Sequence, residues 1–223
     1  MRIYEFGQTS KKLPIFAYEF GLSETNHILV LGGVHGDEIE GVITARDLLS
    51  RLMKKESSFD HMKITLVPEL NPEGVLHKTR GNLNGVDLNR NLPTKDWSPE
   101  VKTPRYHPGP SPMSEPENKA LCDFIKNNRI SFILSLHSWN PMLNVNGDCM
   151  KEAELLSAET GYRIDRDIGY PTPGSLGTYG ATENGIPTIT YEIERGQKQE
   201  DILKMHPPAI WKLFHHLNQK HGA

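Results

Sequence analysis

Short apolar runs separated by helical patterns predict an α/β protein with a mixed sheet. Runs of a few apolar residues, bounded by polar or turn-forming residues, are typical of buried strands. They occur at residues 15–18, 28–31, 64–67, 131–136 and 189–191. Because stretches with helical spacing of apolar residues lie between these runs, we expect helices to cover the faces of one sheet.

Four segments have the apolar spacing of amphipathic helices. Ser114 and Glu117 fit a capping box, which satisfies backbone N–H groups at a helix start. Gly161 is placed to end a helix in the left-handed conformation, and Pro207 is tolerated in the first turn of the last helix. The predicted helices cover residues 39–53, Ser114 to Ile125, residues 151–160 and residues 207–217.

Two polar segments show no regular pattern. Residues 71–97 are rich in Asn, Gly and Pro and carry several charged side chains, whereas residues 98–116 are rich in proline. Long irregular loops in a compact domain are usually functional or disordered. We interpret the first segment as functional and leave the second open between a surface loop and a functional one.

The bulk properties narrow the class of protein. A chain of 223 residues is long enough to bury a core as one domain over residues 1–223. A net charge of -3 gives no basic surface, so no nucleic-acid partner is expected. No apolar run has the length of a membrane span, the start lacks a signal-peptide core, and two separated cysteines form no disulfide framework. We therefore expect a cytoplasmic protein with no membrane partner.

The ends of two predicted strands carry potential metal ligands. His35 and Glu38 follow the strand at residues 28–31, and His137 follows the strand at residues 131–136. Open α/β sheets bind ligands at the carboxyl ends of their strands. Two imidazoles and one carboxylate suit zinc, and a set of three protein ligands leaves a fourth position for water, as catalytic sites require. The sequence therefore predicts a single catalytic Zn²⁺.

The polar loop supplies groups that suit carboxylate recognition. Arg90 is the residue type that binds a planar carboxylate with two hydrogen bonds, and Asn89 stands beside it. If both point into the crevice, they would bind the free α-carboxylate of a substrate. Asp87 is placed to orient a zinc-bound histidine through its second ring nitrogen.

Hydrolysis of an amide also needs a general base and a positive group for the oxyanion. Glu192 follows the last predicted strand and is our candidate base, although Glu194 has the same parity along the strand. Arg80 is the candidate oxyanion donor, and it is equally consistent with a surface arginine. The residue pattern alone leaves both choices open.

Taken together, these motifs resemble the zinc carboxypeptidase family and, more closely, its small bacterial branch, the murein peptide amidases. The resemblance covers most of the chain in family order. It rests on residues 35–38 (HGDE), 71–74 (NPEG), 79–82 (TRGN), 85–91 (GVDLNRN), 114–117 (SEPE), 136–138 (LHS), 169–175 (GYPTPGS) and 191–192 (YE).

The resemblance implies a fold and a role for each matching residue. The implied fold is a mixed, mostly eight-stranded sheet with helices on both faces. The implied zinc ligands are His35, Glu38 and His137. The implied catalytic and substrate-binding residues are Glu192 as general base, Arg80 as oxyanion stabiliser, Asn89 and Arg90 at the terminal carboxylate, and Ser138 and Tyr170 at the substrate, with Tyr170 on a mobile loop.

The first functional hypothesis is a zinc carboxypeptidase or amidase that removes the last residue of a small peptide with a free C-terminal carboxylate. The resemblance points to the γ-D-glutamyl-diaminopimelate bond of cell-wall peptides. Residues 193–196 (IERG) depart from the murein amidase pattern, so Asp165 and Glu194 are candidates for a charged side-chain pocket.

Two other hypotheses stay open. An N-acyl amino acid deacylase of the succinylglutamate desuccinylase and aspartoacylase type would share the two-His, one-Glu ligand set and the string at residues 87–90 (DLNR). Against it, residues 71–74 resemble the peptidase branch more closely. A binding module that keeps zinc without turnover would have no use for Glu192 and Arg80.

Overall fold

The computed structural model describes residues 1–54, 59–100 and 103–220. Its centre is one eight-stranded mixed sheet with the strand order β1-β2-β4-β3-β5-β8-β6-β7. The strands are β1 (Arg2–Gln8), β2 (Pro14–Gly21), β3 (His27–Leu31), β4 (Lys63–Val67), β5 (Ile130–Trp139), β6 (Met142–Asn146), β7 (Arg163–Asp165) and β8 (Thr188–Glu194). The predicted eight-stranded mixed sheet is confirmed.

The parallel strands form the middle of the sheet, where both faces are covered. β3 pairs in parallel with β4 and β5, and β5 pairs in parallel with β8. Every residue of β3 and β4 is buried, as expected of strands with both faces packed. β3 contains the apolar run at residues 28–31, and β4 contains a mainly apolar run that includes Thr65, which is why both strands are predictable.

Three strands escaped prediction because they lack such a run. β1 has exposed residues along its first half, and β7 has only three residues, none of them buried. β6 alternates apolar residues with Asn144 and Asn146. An edge strand, a very short strand and a strand with amides on one face all give weak apolar signals.

Helices cover both faces of the sheet, as predicted. Side chains of α1, α4 and α5 share one hydrophobic cluster with Ile28 and Val30 of β3, whereas side chains of α3 share a second cluster with Leu29 and Leu31 on the opposite face. The alternation of side chains along a strand produces this division. The helices are α1 (Ile39–Met53), α2 (Pro72–His77), α3 (Pro116–Asn127), α4 (Met150–Thr160) and α5 (Gln199–Lys220).

The helix boundaries correct two predictions and confirm a third. Glu115, not Ser114, is the N-cap of α3, and no side chain caps that end; the Ser114 hydroxyl instead donates to Glu115 Oε1 at 2.7 Å. α5 begins at Gln199, so Pro207 lies inside the helix rather than in its first turn. Gly161 ends α4 with a φ of 72°, as predicted.

No helix within the described ranges combines the length and the apolar character that crossing a bilayer requires. The single-domain prediction for residues 1–223 includes positions outside those ranges and stays a prediction. Within residues 1–54, 59–100 and 103–220, one sheet connects the first strand with the last.

Amide and carboxylate side chains fasten the long polar loop to α3. Asn82 Nδ2 donates to Glu115 Oε2 at 2.7 Å and to Glu117 Oε2 at 3.2 Å. Asn118 Nδ2 donates to the backbone carbonyl of Leu88 at 2.8 Å. These buried hydrogen bonds fix the loop against a helix. Residues 82–88 are therefore held against α3 by side-chain hydrogen bonds.

Glu117 predicts a pH dependence of stability. Burial raises the pKa of its carboxyl from 4.5 to about 7, so the folded protein holds a proton that the unfolded chain releases. The contribution of this protonated carboxyl to stability is therefore complete below about pH 4.5 and is lost as the pH rises through about 7. Glutamine carries no proton that can be lost, so the parent should lose stability with rising pH and Glu117→Gln should not. Between pH 5 and pH 8, we expect the difference in unfolding free energy, variant minus parent, to increase by about 1–3 kcal/mol.

Urea unfolding of both proteins at the two pH values measures this effect. Asp123→Asn is the matched control, because Asp123 is an exposed carboxylate on the same helix. Its stability difference from the parent should change little with pH. The interpretation would be wrong if the advantage of Glu117→Gln were the same at pH 5 and pH 8.

Candidate active site

Three potential metal ligands converge at the carboxyl end of the parallel strands. His35 Nδ1 lies 2.9 Å from Glu38 Oε1, and His137 Nδ1 lies 2.9 Å from Glu38 Oε2. The two Nδ1 atoms are 3.1 Å apart. All three residues are buried, and they are the one such group of His, Cys, Asp or Glu side chains found within the described residues.

The sheet and α1 explain this convergence. His35 and Glu38 occupy the turn between β3 and α1, with Glu38 at the N-cap position of the helix. Gly36 has no room for a side chain, because a Cβ there would lie 1.8 Å from the carbonyl carbon of Gly74. His137 is within β5, which extends two residues beyond it. β5 lies beside β3 in parallel, so both strands deliver their ligands to the same edge.

The hydrogen bonds of the two imidazoles suit a cation. His35 Nε2 lies 3.0 Å from Asp87 Oδ1, and His137 Nε2 lies 2.9 Å from the Ser135 hydroxyl. Because an ionised carboxylate only accepts hydrogen bonds, the His35 proton belongs on Nε2. Its Nδ1 lone pair then faces the other two acceptors. Such a set of converging acceptors fits a zinc ion, and the Asp87 contact has the geometry of a second ligand shell.

Asp87→Asn should weaken zinc binding without unfolding the protein. Asp87 holds His35 in one ring orientation and increases the electron density on its other nitrogen, and an amide does this less well. We expect zinc affinity to fall by about tenfold to a hundredfold. Competition with a chromogenic chelator measures it. An affinity equal to that of the parent would show that Asp87 does not support the ligand.

Glu192 stands beside His137 across the parallel β5–β8 ladder. It lines the same cavity as His35 and Glu38. Its Oε2 is buried and has no hydrogen-bond partner among the residues that the structure describes. Burial raises the pKa of Glu192 to about 7, which suits an acceptor of protons near neutrality. Glu194 is exposed and does not line the cavity, so the geometry favours Glu192 as the base.

Arg80 contacts the ligand cluster directly. Its Nη1 donates to Glu38 Oε1 at 2.9 Å, and its Nε donates to Asp87 Oδ2 at 2.9 Å. Only 11% of the side chain is exposed, so it is not a surface arginine. Its Nη2 makes no hydrogen bond to the residues that the structure describes. One nitrogen therefore stays available to an oxygen atom near the cluster.

Arg90 is a buried cation without an anionic partner. Its Nη1 donates to the backbone carbonyl of Asn89 at 2.7 Å, and its guanidinium lies 5.3 Å from the Tyr106 ring. Within the described ranges it forms no ion pair with a carboxylate. Asn89 Oδ1 accepts from the Leu176 backbone N–H at 2.8 Å, which leaves its amide nitrogen free to donate. Both side chains line the cavity.

Tyr170 and Ser138 also line the cavity. Tyr170 is on the irregular segment after β7, and its ring packs edge-on against Trp139 with centroids 5.7 Å apart. The Ser138 hydroxyl donates to Glu40 Oε2 at 2.6 Å. The Ser138 hydroxyl proton is therefore already used in a hydrogen bond within the protein. The substrate-binding roles of Ser138 and Tyr170 stay predictions.

The cavity has a volume of about 150 Å³. Its inner end is lined by uncharged polar side chains. Asp165, Asp167 and Glu194 do not line it. The suggestion that Asp165 and Glu194 supply charge to a side-chain pocket is therefore not supported by the geometry. The uncharged polar residues of the lining include Asn144, Asn146, Ser175 and Thr190.

Comparison with known proteins decides the family. The sequence profile of the zinc carboxypeptidases matches residues 1–159. The chain belongs to the zinc carboxypeptidase family. As a member of it, the protein is a hydrolase that acts on peptide bonds and uses zinc, for which residues 35, 38 and 137 form a possible site.

Two relatives named as murein amidases are similar to this carboxypeptidase. Murein peptide amidase A of Escherichia coli (strain K12) is 30% identical over 224 residues, covering 91% of this chain and 89% of the relative. The solved murein-tripeptide amidase from Escherichia coli O157 has a TM-score of 0.79 at 24% identity, covering 98% of this chain and 92% of that chain. These two proteins are similar to our carboxypeptidase over nearly its whole length.

Two further structures show how widely the fold is shared. Bovine thrombin-activatable fibrinolysis inhibitor has a TM-score of 0.84 at 19% identity, over 98% of this chain and 90% of that chain. A succinylglutamate desuccinylase from Silicibacter is more distant, with a TM-score of 0.66 at 15% identity, over 92% of this chain and 61% of that chain. The carboxypeptidase fold predicted from the sequence is confirmed.

Several residues of this carboxypeptidase site were not predicted. Ser135 and Thr190 have the same strand parity as His137 and Glu192, so parity alone could have indicated them. Arg105 and Arg195 also line the cavity. Nothing in their local sequence distinguishes them from surface arginines, and only the folded chain brings them together.

Proposed function

We propose that the protein removes the C-terminal residue of a small murein peptide by hydrolysing the γ-D-glutamyl-diaminopimelate bond. The observation that carries the proposal is the buried, unpaired guanidinium of Arg90, in the same cavity as the His35–Glu38–His137 cluster and Glu192. A buried cation needs an anion. A terminal carboxylate would supply it. The name of the relative that is 30% identical supports a murein substrate.

In this proposal His35, Glu38 and His137 hold one zinc ion. When bound, zinc would lower the pKa of water towards about 7 and would polarise the scissile carbonyl. Arg90 and Asn89 bind the terminal carboxylate and thereby position the bond to be cleaved. Tyr170 covers the substrate from its loop, and Ser138 contacts it from β5.

Glu192 carries the proton in both directions. Its unpartnered Oε2 accepts a proton from the attacking water as the new C–O bond forms. Arg80 donates a hydrogen bond to the oxygen that gains negative charge, and this stabilisation exists only when the charge develops. Glu192 then donates the proton to the leaving nitrogen as the C–N bond breaks. The products are a carboxylate and a free amino group.

We also infer that the protein works in the cytoplasm as a single domain and takes part in cell-wall recycling. Two buried, unpaired cysteines, Cys122 and Cys149, support residence in a reducing compartment. The hypothesis assigns no nucleic-acid or membrane partner, and it leaves the oligomeric state open.

A substrate panel tests the proposed function. The zinc-loaded protein should cleave L-alanyl-γ-D-glutamyl-diaminopimelate and should release diaminopimelate. It should cleave the α-linked isomer more slowly, and it should leave N-acetylaspartate and succinylglutamate intact. Preferential cleavage of the two N-acyl amino acids would favour the deacylase hypothesis instead, and binding of the tripeptide without hydrolysis would favour a binding module.

A further inference from the structure

The outer end of the cavity carries two arginines that the proposed mechanism does not use. Arg105 is in the short helical turn Pro104–Tyr106, and Arg195 follows the end of β8. Both line the cavity. Their Nη2 atoms lie 3.0 Å and 2.9 Å, respectively, from the same oxygen, Asp37 Oδ2. Two guanidinium groups that share one carboxylate leave one positive charge uncompensated.

The order of residues along β8 shows which part of a substrate these arginines face. Thr190, Glu192 and Arg195 all line the cavity, and an extended chain advances by about 3.3 Å per residue. Arg195 therefore lies up to about 10 Å beyond Glu192, on the side away from Thr190. Asn144 pairs with Thr190 across the β6–β8 ladder. The cavity thus has an amide end and an arginine end, with Glu192 between them.

The amide end is closed and the arginine end is open. Asn144 and Thr190 are each 8% exposed, whereas the side chains of Arg105 and Arg195 are 45% and 39% exposed. A C-terminal residue has no chain beyond it and fits the closed end. The rest of the peptide must leave through the open end. The residue on the acyl side of the scissile bond therefore passes Arg105 and Arg195.

We propose that Arg105 and Arg195 bind a free carboxylate on this acyl-side residue. In a γ-linked glutamyl residue, three carbon atoms separate the α-carboxylate from the scissile carbonyl, which brings it within reach of both guanidinium groups. Asp37 holds the arginines together before the substrate arrives, which reduces the entropy lost on binding. This inference rests on the proposed function and narrows its substrates to those with an anionic acyl residue.

Charge around the site supports an anionic substrate. The chain as a whole has a net charge of -3, yet four arginines line the cavity: Arg80, Arg90, Arg105 and Arg195. Among the described residues, the lining includes only two carboxylates, Glu38 and Glu192. Asp37 and Asp87, which form ion pairs with three of these arginines, do not line the cavity. The charges that face a substrate are therefore mainly positive, which favours negative groups on that substrate.

Two substrates that differ in one group test the inference. One is L-alanyl-γ-D-glutamyl-diaminopimelate, and the other is the same tripeptide with the glutamyl α-carboxylate converted to a carboxamide. We expect the zinc-loaded parent to cleave the carboxylate form with a kcat/KM at least about tenfold higher, as charge-assisted hydrogen bonds predict. In the Arg105→Gln/Arg195→Gln double variant this preference should fall to near one, because kcat/KM should fall much more for the carboxylate form than for the carboxamide form.

Matched variants separate recognition from folding. Arg163→Gln removes an exposed arginine outside the cavity and should keep the full preference. The single variants Arg105→Gln and Arg195→Gln should each lose part of it, which gives a result even if the double variant does not fold. A loss of kcat/KM by the same factor for both substrates would mean that the arginines only support the structure, and it would overturn the inference.

The same assay distinguishes the inference from the proposed function. Equal cleavage of the carboxylate and carboxamide forms by the parent would overturn the carboxylate subsite and leave the γ-glutamyl hydrolase standing. Failure of the zinc-loaded parent to cleave either form would overturn both. An α-linked glutamyl peptide carries its free carboxylate on the side chain. If the parent preferred this peptide, and if the preference depended on Arg105 and Arg195, the carboxylate subsite would be supported and the proposed γ-linkage would be wrong.

Discussion

Replacing Glu192 by glutamine should lower kcat by about a hundredfold to ten-thousandfold, while the protein stays folded and keeps its zinc. Glutamine has nearly the same size and hydrogen-bonding reach, but it cannot accept a proton from water. Glu192 is buried, and its Oε2 is unpartnered within the described residues. Removing its charge should therefore leave the surrounding packing intact. Steady-state hydrolysis of the γ-linked tripeptide, with the zinc content of the same sample, measures both effects.

Glu194→Gln is the matched control for this experiment. Glu194 is on the same strand, with the same parity as Glu192, but it is exposed and outside the cavity. We expect its kcat to stay within about twofold of the parent, as for surface substitutions in general. If Glu192→Gln turned over as fast as the parent, or if Glu194→Gln were the inactive variant, the assignment of the base would be wrong.

Arg90→Ala should reduce kcat/KM for a free-acid substrate by about tenfold to a hundredfold, mainly through KM. A charge-assisted hydrogen bond contributes about 1.5–3 kcal/mol, and Arg90 has no carboxylate partner within the described part of the protein to compete for it. A substrate with an amidated C-terminus lacks the negative charge. The parent should cleave it slowly, and its kcat/KM should change much less in Arg90→Ala.

The ratio of the two kcat/KM values is the informative quantity in this experiment. Arg90→Lys keeps the charge and loses the paired geometry, so it should restore part of the preference for the free acid. Arg46→Ala removes a half-exposed arginine far along α1 and should change nothing. An equal loss for free-acid and amidated substrates in Arg90→Ala would show that Arg90 does not recognise a carboxylate.

The features predictable from the sequence are those with a local cause. α1 has the bounds that its apolar spacing predicts, and β3 and β4 each contain a short, mainly apolar run. His35 and Glu38 are three residues apart in one turn, so their proximity follows from the chain itself. The apolar runs that precede His35 and His137 in the sequence could also be identified as strands. That is why the ligand cluster could be proposed before the fold was known.

The features that escaped prediction depend on distant partners. Ser114 fits a capping box, yet Asn91 Nδ2 donates to its hydroxyl at 2.9 Å from a loop remote in sequence. β6 shows no apolar run because Asn144 and Asn146 face the cavity. Arg105 and Arg195 are distant in sequence from Asp37, with which both form ion pairs. Tertiary contacts decide such features, and short sequence windows do not contain them.

The central claim is that three side chains from the turn after β3 and from β5 hold one zinc ion. The most direct measurement is the zinc content of the purified protein and of two histidine variants, each checked for folding by circular dichroism. We predict about one zinc per chain in the parent and in His77→Ala, whose histidine is exposed at the end of α2. We predict almost none in His137→Ala. A folded His137→Ala that kept a full equivalent of zinc would contradict the account.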